Sequence, residues 1–117
     1  MSTVMLILDK PRTLTYRWTD MRTITQRLGG CTMIEFLQRL GNTQPDVLHT
    51  ALLVGLSNDD AKLTGKRLDD LIQSYIDRGG KLGDLVNAVL EALQEDGLLY
   101  ADKKKTEGSD SPNPTPS

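Results

Sequence analysis

The chain has 117 residues, a formal charge of −2 and few aromatic side chains (4%). That length holds one domain with one modest core, mostly leucine, isoleucine and valine, and the near-neutral charge gives no general drive toward nucleic acid. A single cysteine excludes an intramolecular disulfide, and the start lacks a basic leader region and any apolar run of membrane length, so a soluble cytoplasmic protein without a membrane partner is expected.

Taken in order, Thr3 to Leu8 is rich in bulky apolar residues, and Thr13 to Trp18 alternates Leu14, Tyr16 and Trp18 with Thr13, Thr15 and Arg17. With Asp9-Lys10-Pro11-Arg12 as the turn, this period of two predicts a β-hairpin over residues 3–18. A lone two-stranded hairpin is marginal in water, so Leu14, Tyr16 and Trp18 are expected to pack down on a helical body. A partner anchor is the alternative reading of Trp18.

From Thr19 the period changes. Met21, Ile24 and Leu28 share one helical face, and Gly29-Gly30 stops the helix. Thr32 and Glu35 form a capping box that starts a second helix, whose stripe is Met33, Phe36, Leu37 and Leu40 and whose end is Gly41-Asn42. Pro45 to Leu56 is apolar on nearly every side, which predicts a central buried helix covered from several directions. Thr43 is its expected cap, and Pro45 sits in the first turn, where a missing N–H costs little.

After the polar turn Ser57–Asp60, Thr64 is the expected cap of a helix with Leu68, Leu71, Ile72, Tyr75 and Ile76 on one stripe and Gly79-Gly80 as its stop. The last helix carries Leu82, Leu85, Val86, Val89, Leu90 and Leu93, has Asp84 in its acidic first turn and ends at Asp96-Gly97. The fold expected is therefore mainly α: a small bundle of about five helices with an N-terminal hairpin, one domain over residues 1–100. Residues 101–117 hold no large apolar side chain and read as a disordered polar tail. Leu98-Leu99-Tyr100, between the last stop and that tail, either close the core or stay available to a partner.

The search for chemistry gives little. His49 is the only histidine and lies in the most apolar helix, where a structural role outweighs that of a general base. Cys31, between a Gly-Gly stop and a helix start, reads as a packing residue rather than a reactive thiolate. Asn58-Asp59-Asp60 has the start of a calcium loop without its central glycine or closing glutamate, and Thr64-Gly65-Lys66-Arg67 lacks the glycine spacing of a phosphate loop. The expectation is no enzyme, no cofactor and no metal. Lys10, Arg12, Arg17, Arg22 and Arg27 concentrate positive charge near the hairpin and first helix, which keeps a small helical DNA-binding regulator as the alternative function, beside a noncatalytic interaction subunit.

The order of elements resembles a known family. A hairpin carrying Leu14-Thr-Tyr-Arg-Trp18, a helix ending Arg27-Leu-Gly-Gly30, a short helix with Met33-Ile-Glu-Phe-Leu37, an apolar third helix, a polar turn into Leu63-Thr64, a helix ending in Gly-Gly and a final Leu/Val/Ala helix are similar to the tail assembly chaperones of long-tailed bacteriophages (siphophage type) and gene transfer agents. The resemblance covers residues 3–98; where that family often has a glutamate before Leu-Gly-Gly, this chain has Gln26-Arg27. It implies a protein that binds the aggregation-prone tape-measure protein in the host cytoplasm, recruits tail-tube subunits and is absent from the mature virion. It also implies a longer frameshifted form, for which Lys103-Lys104-Lys105 marks a candidate slippage run. A client-binding strip is expected at Leu98, Leu99 and Tyr100, with Ile72 and Ile76 behind them, and self-association through that strip is a further expectation.

Overall fold

A computed structural model of the chain describes residues 4–99. Its elements run β1 (Met5–Ile7), β2 (Pro11–Thr13), α1 (Trp18–Arg27), α2 (Met33–Gly41), α3 (Pro45–Ser57), α4 (Gly65–Asp77) and α5 (Leu82–Glu95). The chain is thus mainly α with a two-stranded antiparallel hairpin at its start. Tyr100 and the tail over 101–117 lie outside the described residues.

Helix α3 is central because most of its circumference is apolar, with only a narrow side of Asp46, His49, Thr50, Leu53 and Ser57 reaching water. Val47, Leu48, Ala51, Leu52, Val54, Gly55 and Leu56 are all buried, and α3 contacts each of the other four helices. Each large aliphatic side chain buried there contributes roughly 1.5–3 kcal/mol over leaving it exposed. The covering faces are the predicted stripes: Met21 and Ile24 from α1, Phe36 and Leu40 from α2, Leu68 and Leu71 from α4, and Leu85, Val89 and Leu93 from α5.

Gly55 lies in the interior of α3, where glycine costs about 1 kcal/mol relative to alanine. Its reason is Tyr16. The buried phenol donates to the Ala51 carbonyl at 2.7 Å, and a Cβ on Gly55 would come within 2.5 Å of the tyrosine ring. The missing side chain is the seat of the aromatic plug.

Four helices close with the same pair of backbone bonds, the Schellman arrangement. In α1, Gly29 and Gly30 donate to Gln26 and Thr25; in α4, Gly79 and Gly80 donate to Ile76 and Tyr75; in α5, Gly97 and Leu98 donate to Gln94 and Leu93. Helix α2 does the same with Thr43 to Leu40 and Gln44 to Arg39, at 2.9 and 3.1 Å. No glycine follows Asn42, so the left-handed position falls on Thr43, at φ +55°. Thr43 therefore ends α2 and does not cap α3, whose N-cap is Gln44 with no side-chain cap bond. The other predicted caps are in place: Thr32 and Glu35 exchange bonds of 2.8 and 3.1 Å, and Thr64 Oγ1 accepts from Arg67 N–H at 3.1 Å.

The hairpin is shorter than its alternation suggests. Met5 faces Thr13 and Ile7 faces Pro11, so Leu8 to Lys10 form the turn and Arg12 belongs to the strand. Leu14 N–H still donates to Val4 O at 2.9 Å; beyond it the chain stays extended but leaves the first strand. Thr15 N–H donates to Gly55 O and Tyr16 N–H to the Asp96 carboxylate, so helix ends take over the bonding of this segment. Leu14 and Tyr16 pack down as expected, whereas Trp18 is 66% exposed. The reason is that α1 already starts at Trp18, with the Asp20 carboxylate accepting Arg17 N–H at 2.8 Å, so helical geometry rather than alternation sets its direction.

The outer border of β2 offers no free N–H: Asp59 accepts that of Thr13, and Pro11 has none. On β1, Met5 and Ile7 turn their backbone groups away from β2, and among the described residues only the Ile7 carbonyl has a partner there, the Arg78 guanidinium at 3.5 Å. Their side chains are 56% and 67% exposed.

Two substitutions test this account. Thr43→Gly should raise stability by about 1 kcal/mol in a urea melt, because glycine takes the left-handed position without the β-branched clash. Gly55→Ala should lower it by about 1–3 kcal/mol through overpacking against Tyr16; an unchanged midpoint would show that the ring is not held there.

Candidate partner-docking surface

The residues with chemical potential are engaged in holding elements together. His49 is half-buried, with Nε2 at 3.0 Å from the Gly65 carbonyl and 3.2 Å from Asp69 Oδ1, so it ties α3 to the first turn of α4. The Tyr16 phenol is pushed far above its ordinary pKa, mainly by burial and further by the Asp20 and Asp96 carboxylates, so it stays protonated. Among the described residues, no three His, Cys, Asp or Glu side chains gather where they could hold a metal ion, and no helix is long and apolar enough to cross a membrane.

The acidic turn after α3 is a clamp on the N-terminal segment. Asn58 donates from its amide to Thr15 O and to Asp20 Oδ2, both at 2.8 Å, and Asp59 holds Thr13. Asp60 accepts from Arg12 at 3.2 Å and from the Lys62 backbone at 3.1 Å. Arg12, only 4% exposed, is also gripped by both oxygens of Asp9, at 2.8 and 3.0 Å. A buried guanidinium is tolerated because two carboxylates and a forked geometry replace its water. In return, Arg12 holds the Asp9 carboxyl far below the ordinary range, while the Lys62 N–H and then Arg12 lower that of Asp60.

Of the residues expected to form a client strip, Leu98, Leu99 and Ile72 are half-buried and packed against the core. Leu98 is also the last donor of the α5 stop. Ile76 is 39% exposed, and Tyr100 lies outside the described residues.

A different surface is open. Trp18, Met21, Arg22 and Thr25 recur at i, i+3, i+4 and i+7 along α1 and form one wall of a cleft of about 120 Å³, with Cys31 and Met33 opposite. The next residue of α2, Ile34, is 54% exposed. Both helices begin at this cleft, α1 with Trp18 and α2 with Met33. The signal that sequence reasoning missed was Asp20: an acid three residues after Arg17 marks a helix start there and takes Trp18 out of the strand pattern.

No family model, curated protein or solved structure matches the chain.

The clamp predicts an acid dependence. Asp9 and Asp60 have folded pKa values below their unfolded ones, so their contribution is complete above the ordinary aspartate range and fades as pH falls below about 5. The stability difference between the native chain and Asp9→Asn, from urea melts, should be large at pH 7 and shrink toward pH 3. A difference that does not change with pH would show that the Asp9 charge is not what holds Arg12.

Proposed function

We propose that this domain is a noncatalytic binding module that acts as a tail assembly chaperone. It holds the tape-measure protein soluble in the host cytoplasm, helps recruit tail-tube subunits and does not enter the mature virion. The observation that carries this reading is the set of large apolar side chains left in water around a sealed core: Met5, Ile7, Trp18, Ile34 and Ile76. With the interior already filled, a tryptophan and three isoleucines are left available to another chain, which is what a protein that holds helical clients needs.

Three further features support it. The order of hairpin, Leu-Gly-Gly-terminated helix, short helix, apolar helix, Gly-Gly-terminated helix and final helix, on which the resemblance rests, is the order of the folded elements. The titratable and nucleophilic side chains discussed above bind elements to one another or line an apolar cleft. The cleft lies between two helices, the setting in which an amphipathic client helix docks by i, i+3, i+4, i+7 anchors. Self-association through apolar surface belongs to the same reading.

Co-expression tests it. The tape-measure protein from the same genome, insoluble alone, should move largely into the soluble fraction with this chain and co-elute with it on size exclusion. A client that stays insoluble beside an abundant, folded partner would overturn the proposal.

A further inference from the structure

We draw no further inference here: the strongest candidate, the outer edge of β1 where Met5 and Ile7 expose their side chains and turn their backbone groups away from β2, carries nothing, because nothing in the structure shows what covers it.

Discussion

Everything in this domain depends on the need to cover α3. A thirteen-residue helix that is apolar over most of its circumference is not stable until several neighbours surround it, and each other helix brings one apolar stripe for that purpose. Aliphatic burial supplies the drive, and shape decides the detail. Gly55 shows this most clearly: one absent methyl group lets a tyrosine enter the core, and its hydroxyl is satisfied by the Ala51 carbonyl of the same helix. The N-terminal segment is thereby built into the helical core and is more than an appended hairpin.

A second layer of polar contacts fixes where that segment lies. The turn after α3 reaches it through Asn58, Asp59 and Asp60, α5 reaches it through Asp96, and Arg78 at the end of α4 donates to the Leu8 carbonyl. These bonds come from three separate helix ends, and all but the Asp60–Arg12 pair go to backbone groups that a two-stranded sheet leaves unsatisfied. Buried backbone needs such partners, so residues with the look of a cation site instead complete the hairpin. The same economy of polar groups leaves the α1–α2 cleft with apolar lining and one arginine.

The helices were readable because their signals are local. Thr32 with Glu35, Thr64, Pro45 and the Gly-Gly pairs each act within one turn of chain, and each helix lies where those signals put it. The misread places are those where long-range contacts decide. Arg12 looks like a turn residue until Asp60, far along the chain, draws it inward. Thr43 looks like a cap because threonine usually is one, yet the register of α2 gives it a left-handed backbone instead. Trp18 continues an alternation that stops one residue earlier. Leu98 and Leu99 at the end of α5 lean on the core, whereas the open cleft is made jointly by α1, the start of α2 and the turn between them.

The asymmetry of the small sheet sets a limit on how this protein can misassemble. With one border closed by Pro11 and the Asp59 carboxylate, a stray strand can be accepted only along Met5 and Ile7, and even there a guanidinium already occupies one carbonyl. An added molecule presents outward a border with no free N–H, so strand addition along this edge favours a pair over continued growth. Greasy surface can therefore remain in water on this chain without the runaway polymerisation that an unguarded strand invites.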